Sequence, residues 1–469
     1  MQQAIGKYRW KICALLFFAT TINYLDRQVL SLTWKDYMVP EFHWTDSDYG
    51  TITALFSIFY AVSMLLAGRF VDWMDTKKGF LWAIGIWSVG ACIHAFCGIA
   101  TSGILTDNWA INFESAKSSI ATFDKVAVVT STSVSLFIFA RFVLALGEAG
   151  NFPAAIKATA EYFPKKDRAL ATSIFNAGAT VGALAAPLTI PFIAKAYGWE
   201  MSFIIIGALG FVWMFFWSFM YKKPEVHPRV SKAELEYIQQ DIVAHNAVSE
   251  PVISTPKRMS FFKCFQYKQT LAFAFGKFMT DGVWWFYLFW TPAYLKDIHG
   301  LNSTQSSFPL TVLYLITLLS IIGGWLPTYF VEKKGMNPYE GRMKAMLIFA
   351  FFPLLALLAQ PLGQNGYWLP VIIIGIAGAA HQSWSANIFS TVGDMFPKTA
   401  IATVTGIGGM AGGLGAFLIN KGSGVLFTHA DDTQMLFMGF QGKQAGYFIV
   451  FSVCAVVYLI GWVVMKSLV

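Results

Sequence analysis

Two acids and two arginines stand in segments that are otherwise long and apolar enough to cross a bilayer. Asp26 and Arg27 lie in KICALLFFATTINYLDRQVLSL, and Arg141 and Glu148 in ARFVLALGEAGNFPAAIKA. Each charge near the middle of a spanning helix costs about 2.5–3.5 kcal/mol on insertion scales, so all four need a partner or a task. Arg141 and Glu148 are two helical turns apart, on one face and about 10.5 Å distant along the axis, too far for a direct ion pair. Asn151 continues their stripe, and Gly147 and Gly150 let a neighbouring helix come close. Asp26 and Arg27 are adjacent, hence about 100° apart around a helix, and do not face each other. A crosswise arrangement between the two segments would nearly balance the charges. It can be a closed set of ion pairs that ties two helices together, or the wall of a wet cavity between two halves of the protein. In the second case a carboxylate whose surroundings change can bind and release a proton. A guanidinium with no fixed partner offers a fork that fits an incoming carboxylate, which points to an organic anion.

A second constellation differs in kind. FGKFMTDGVWWFYLFWTPAYL brings Trp284, Trp285, Tyr287 and Trp290 close together, and AGAAHQSWSANIFSTVGDMFP carries His381, Gln382, Trp384, Ser385 and Asn387 at membrane depth. Aromatic faces pair with the C–H surfaces of sugars while amides and hydroxyls bond their alcohol groups, so arginines on one wall and this cluster on the other fit a polyhydroxylated acid. Tryptophans also belong to interfacial belts. Trp290 is expected in such a belt, Trp384 in the site. Lys277 and Asp281, spaced i, i+4, are expected to satisfy each other as a structural pair.

The elements that must hold these groups follow from composition. The 469 residues are 56% hydrophobic and only 13% charged, with a mean hydropathy of +0.54. Such a chain cannot cover itself with polar surface in water. Apolar stretches of bilayer-spanning length recur at 12–33, 49–70, 80–100, 132–155, 169–194, 201–221, 270–294, 307–330, 345–361, 368–393, 401–428 and 446–465. This makes an all-α integral membrane protein of twelve transmembrane helices. The first stretch has a basic lead but no A-x-A cleavage site, and reads as a retained helix and not a leader. Most lysines and arginines fall in loops on the side of the termini, which places both termini in the cytoplasm of a cell whose inner membrane the chain spans. That asymmetry accounts for the net charge of +8 without a nucleic-acid partner. Of the five cysteines, Cys13, Cys92, Cys97 and Cys454 fall in spans and Cys264 beside one, none in a C-x-x-C pair, and they read as packing residues. Asn302-Ser303-Thr304 fits a glycosylation triplet that also arises by chance.

A hydrophilic stretch at 222–268 divides the chain into six-helix bundles at 1–221 and 269–469. Within it Ser231, Glu234, Leu235, Ile238 and Ile242 predict a capped surface helix. The halves repeat one another. Phe163-Pro164-Lys165 corresponds to Phe396-Pro397-Lys398 at an offset of 233, which sets Glu148 against His381. Gly68 corresponds to Gly324 at an offset of 256. The 23 extra residues of the first half belong to the polar outer stretch 101–130, a peripheral elaboration. Duplicated bundles with a site between them are expected of a secondary transporter. GRFVDWMDTKK sharpens this, because it resembles the loop motif of the major facilitator superfamily. The resemblance makes Gly68, Asp72, Lys77 and Lys78 a cytoplasmic latch for the outward-facing state. Thr328 stands where the second copy should have its aspartate, so that copy is expected to be weaker.

NYLDRQVLS and RFVLALGEAGNFPAAIKATAEYFP resemble the anion:cation symporter family, and WWFYLFWTPAYL with HQSWSANIFSTVGDMFP resembles its bacterial hexuronate transporters. The resemblance implies proton-coupled symport of a hexuronate such as glucuronate or galacturonate, by alternating access and without a cofactor, through a single chain acting as a monomer. It makes Asp26 and Glu148 the protonation sites, with Arg141 tuning Glu148 and Arg27 binding the substrate carboxylate. Tyr24, His381 and Trp384 contact substrate, with Gln382, Asn387, Tyr60 and Asn176 as further candidates. A carrier for another organic anion (aldonate, aldarate or aromatic acid) and a membrane sensor of such anions are the competing readings. An enzyme is not expected, since no H-E-x-x-H, G-x-S-x-G, Walker or dinucleotide motif appears.

Overall fold

The computed structural model describes residues 6–107, 109, 112–248, 261–396 and 398–469. Ten of its helices are long and apolar enough to cross a membrane. In chain order these are α2 Asp46–Met74, α3 Thr76–Thr106, α4 Val126–Tyr162, α5 Lys165–Tyr197, α6 Trp199–Met220, α8 Ser303–Lys334, α9 Pro338–Gly363, α10 Trp368–Met395, α11 Lys398–Asp432 and α12 Lys443–Leu468. Two more, α1 Tyr8–Thr33 and α7 Lys268–His299, are as long but less apolar, and together the twelve make the expected count. They are the helices that carry Asp26, Arg27, Lys277 and Asp281 in their middles, so the apolarity they lack marks where the chemistry lies.

Helices α1–α6 and α7–α12 form the two halves, and α2 against α11 is their longest seam. Side chains there are small by necessity. A Cβ on Gly50 would sit 2.8 Å from the carbonyl of Asn420, and one on Gly424 2.5 Å from that of Asp46, so glycine sets how closely the halves approach. Between the halves, the linker helix Lys232–Val248 starts where expected, the Glu234 amide donating to Ser231 Oγ at 3.2 Å. Glu234 does not close the capping box. Its buried carboxylate accepts from the backbone amide and Nη1 of Arg9, tying the linker to the start of α1. Residues 249–260 of the linker lie outside the described residues, as do 108, 110 and 111 of the 101–130 stretch. Between the end of α3 and the start of α4, that stretch carries a helix, Phe113–Ala121, capped by Asn112 and tied to α6 by a 3.0 Å Lys117–Glu200 ion pair.

Ion pairs between the halves lie, among the described residues, at the face away from the termini, and they have an internal symmetry that the sequence analysis missed. The dipeptide Lys-Asp occurs at the far end of α1 (Lys35-Asp36) and again at the far end of α7 (Lys296-Asp297). Each lysine binds the other copy's aspartate: Lys35 to Asp297 at 2.8 Å and Lys296 to Asp36 at 3.0 Å. This is the reciprocal contact a two-fold relation produces, here within one chain. Lys35 also reaches Asp46 at 2.7 Å, and Lys443 joins Asp46 across the seam at 2.7 Å. A π-helical turn at Trp34–Met38 presents the first copy, in keeping with the functional placement of such turns.

Beneath these pairs lies an aromatic plug. Trp34 stacks on Tyr49 at 4.1 Å, and Trp290 meets Tyr49 edge-on at 5.0 Å while its Nε1 donates to Asn420 Oδ1 at 3.0 Å. Trp290 is therefore no belt residue. It is fully buried where the halves meet, because its polar nitrogen has a buried acceptor there.

The face bearing the termini is held differently. Asp72 pairs with Lys157 of its own half at 3.2 Å, and Lys77 Nζ donates to the carbonyl of Ser218, also in its own half. Lys78 is exposed, and nothing lies within 4 Å of the Cβ position of Gly68. In this conformation the loop expected to latch the halves touches only one of them.

Removing Lys35 leaves Asp46 and Asp297 with Lys443 alone between them. Breaking one partner of a buried ion pair typically costs about 3–5 kcal/mol, and opening the face away from the termini relieves it. Spin labels at the exposed positions Thr122 and Asp432 should show a longer-distance population that rises about tenfold or more in Lys35→Ala, as expected for a shift above about 1.4 kcal/mol. An unchanged distance distribution would mean that the pairs do not hold this face closed.

Candidate functional site

The middle of α1 separates its adjacent charges as helical geometry requires. Arg27 turns towards the plane where the halves meet and Asp26 turns into its own half. Arg27 donates from Nε and Nη2 to a single oxygen, Glu148 Oε2 on α4, at 3.0 and 2.6 Å. Both residues are buried. Four rings surround the guanidinium, with centroids 4.7 Å (Tyr60), 5.1 Å (Trp285), 5.2 Å (Tyr24) and 5.8 Å (Phe56) away. Trp285 comes from α7, so the cage closes across the two halves. At the same level Tyr314 of α8 donates its hydroxyl to Gln28 Oε1 at 3.0 Å, a second link between halves.

The crosswise arrangement is thus half formed. Arg27 pairs with Glu148, whereas Asp26 and Arg141 do not pair. Neither oxygen of Asp26 has a hydrogen-bond partner among the described residues, nor do Nε and Nη1 of Arg141 or Oε1 of Glu148. Arg141 lies instead over the Phe56 ring at 5.1 Å. No direct bond joins Arg141 to Glu148, as two turns of separation require. Asn151 reaches Thr20 Oγ1 at 3.4 Å. A Cβ on Gly147 would lie 2.3 Å from the backbone nitrogen of Trp87, so glycine there lets α4 lie against α3.

The other half brings its aromatic and polar groups together around His381. Its Nδ1 lies 2.8 Å from the Tyr458 hydroxyl, and its ring stacks parallel to Trp284 at 5.7 Å. Trp384 is sealed behind Tyr458, edge-on at 5.6 Å, with no partner for its Nε1 among the described residues. Asn387 points its amide at the backbone, donating to the carbonyls of Gly323 and Ser383 at 2.8 Å each. Gln382 is half-buried and Asn176 is exposed on α5. Lys277 and Asp281 form the pair foreseen for them, 2.6 Å apart. Phe56, Tyr458 and the role of Trp285 over Arg27 escaped the sequence analysis. Phe56 is one turn from Tyr60 on α2 and was open to inference from that spacing. Tyr458, one of several hydroxyls in an apolar helix, carries no such signal.

Residues 16–419 match the Major Facilitator Superfamily. The chain is 27% identical over 468 residues to the hexuronate transporter of Escherichia coli (strain K12), covering 98% of this chain and 94% of that one. It is 24% identical over 445 residues to the probable galactarate/D-glucarate transporter of the same strain, with 93% of each covered. Among solved structures, a bacterial homologue of the human lysosomal transporter Spinster superposes with a TM-score of 0.67 at 18% identity, over 99% of this chain and 97% of that one.

The hydrogen bonds of Asn387 assign it to holding α10 against the Gly323 turn of α8. Asn387→Ala would strand the buried Gly323 carbonyl at a cost of about 1–3 kcal/mol. The purified variant should unfold several degrees lower in a thermal scan. An unchanged melting curve would show that this amide is no strap.

Proposed function

From the premise that the chain belongs to the Major Facilitator Superfamily, and with an arginine held by a carboxylate where its halves meet, we propose that it takes up a hexuronate such as glucuronate or galacturonate together with protons, by alternating access. It is a multi-pass membrane transporter and not an enzyme. The observation that carries the proposal is the Arg27–Glu148 pair inside its aromatic cage.

Glu148 occupies the Nε/Nη2 edge of Arg27. A substrate carboxylate can take the same donors only when Glu148 yields them, and protonating Glu148 removes the competing charge. Empty, the site holds Arg27 against an ionised Glu148. Loaded, it holds Arg27 against the substrate anion with Glu148 neutral. Both states are neutral, whereas anion without proton leaves one uncompensated negative charge in a low-dielectric interior, which is costly. Proton and anion therefore bind as a unit. Asp26 is the second proton site in this reading, because an ionised carboxylate buried with neither oxygen bonded is costly. Arg141 lies within its electrostatic reach and influences Glu148 only at a distance.

Tyr24 and Tyr60 flank the bound carboxylate. His381 and Gln382 face the polyol end, with Asn176 on α5 along the route. Trp384 and Asn387 act from behind, by packing and by holding backbone. With the termini in the cytoplasm, the closed face is the outer one, and the conformation described is the one that releases substrate inward. Gly68, Asp72, Lys77 and Lys78 would join the halves in the alternative state. One chain, as a monomer, contains the whole pathway.

The test is uptake of labelled glucuronate into proteoliposomes with an inside-alkaline pH gradient. Wild type should accumulate it, and Arg27→Ala should lose roughly two orders of magnitude, as expected for truncating a buried charge partner. Glu148→Gln should still exchange labelled for unlabelled substrate and no longer accumulate it. Normal accumulation by Glu148→Gln would remove Glu148 from the coupling, and undiminished uptake by Arg27→Ala would remove the anion site.

A further inference from the structure

The Lys277–Asp281 pair on α7 has a consequence for which acids the carrier accepts. Lys277, Asp281 and Trp285 stand at i, i+4 and i+8, one face of a helix. Trp285 lies on the Arg27 guanidinium at 5.1 Å. Along that face Asp281 is about 6 Å from Trp285 and Lys277 about 12 Å. The stripe therefore runs away from Arg27, beside the space that the remainder of an anchored substrate must fill. Neighbouring groups place it there too: Asp281 interacts electrostatically with Tyr24, and Lys277 with His381.

The two partners are not equally presented. Lys277 is the hidden one, its side chain 3% exposed and its ammonium 3.9 Å from the Phe389 ring centroid. Asp281 is 17% exposed and binds Lys277 through Oδ2 at 2.6 Å. Among the described residues, the cation that α7 carries on this wall, Lys277, is thus paired with the more exposed acid in front of it. What the wall shows a ligand is a carboxylate oxygen, an acceptor for hydroxyl protons and a repellent for a second anion.

We propose, resting on the reading of the site as one for sugar acids, that Asp281 is a specificity-determining residue. It accepts from the hydroxyls at the end of the substrate remote from Arg27 and excludes dicarboxylates, so the carrier takes aldonates and uronates but not aldarates. Attraction of the polyol and repulsion of the second carboxylate are two halves of one discrimination. Replacing the acid by its amide uncovers Lys277 and offers a second carboxylate the cation it lacks.

The experiment uses the full chain and two readouts. The first is the thermal shift of purified wild type with D-glucuronate and with D-glucarate, the same six-carbon skeleton with carboxylates at both ends. The second is inhibition of labelled glucuronate uptake by each unlabelled acid. Glucarate should compete at least ~100-fold less well than glucuronate in wild type, since a like charge set directly opposite costs several kcal/mol. In Asp281→Asn that ratio should close by about tenfold or more, the gain of a charge-assisted bond. Lys277→Met/Asp281→Asn, which removes the uncovered cation, should lose that gain. Wild type that binds the two acids within about threefold of each other overturns the proposal even if no variant folds. So does an Asp281→Asn carrier that takes up glucuronate with an unchanged ratio. Wild type stabilised by no sugar acid at all overturns the hexuronate reading itself, and this inference with it. Stabilisation by both acids alike overturns only the inference.

Discussion

A guanidinium buried at membrane depth carries its charge in every state of the protein, because arginine does not lose its proton. Arg27 is such a group, and the architecture around it answers that constraint. The four rings cannot meet it alone. Cation–π contacts at about 0.5–2 kcal/mol each offset part of the several kcal/mol that stripping an ion of water costs even after relaxation, but the rings carry no net charge. The cage fixes where the guanidinium sits, and an anion must balance it. In the conformation described, that anion is Glu148. In the proposed mechanism, selectivity for an anion follows from the need to replace one carboxylate by another without leaving the arginine bare.

The helices that hold this centre are also those that close the far face. Arg27 and Lys35 are eight residues apart on one rod, about 12 Å, and α7 carries Trp285 and the Lys296-Asp297 dipeptide in the same way. A change in what occupies the fork is thus applied to the helices whose far ends pair across the seam. No chain of intermediate side chains is needed to link them. The joint consists of a helix from each half, each with a local irregularity towards its far end: the π-helical turn Trp34–Met38 that follows α1, and Pro292 inside α7.

The chain reveals its layout through periodic apolarity, and its charged residues through their cost. Twelve spans, a six-plus-six division and the pairing of Lys277 with Asp281 follow from spacing alone. So does the separation of Asp26 from Arg27, since adjacent helical residues must diverge. The limits are equally physical. Nothing local distinguishes a tryptophan facing lipid from one facing the other half, and Trp290 was assigned to the wrong surface. Asn387 has the composition of a ligand and the bonds of a strap, and only the positions of Gly323 and Ser383 decide between them. The paired Lys-Asp dipeptides were visible as text, at an offset of 261, against 257 for the helix caps Thr45 and Asn302 that follow. They passed unnoticed because the first half has four more residues between dipeptide and cap, which breaks the register of the repeat.

Two classes of buried charge emerge, and magnitudes explain why they behave differently. In the far-face network Lys35, Lys296 and Lys443 are balanced against Asp36, Asp46 and Asp297, and each dipeptide holds one charge of each sign. When that face opens, both partners of every pair meet water, where ion pairs are worth about 0–1 kcal/mol and hydration replaces what is lost. Separating the pairs is therefore nearly reversible. Arg27 has no such exit, since its fork and its cage remain at membrane depth whichever face is open. A duplicated membrane protein can thus use the same residue types for two purposes. Charges at a face make a seal that opens into water, and a charge held at membrane depth makes a site whose carboxylate is exchanged and not simply lost.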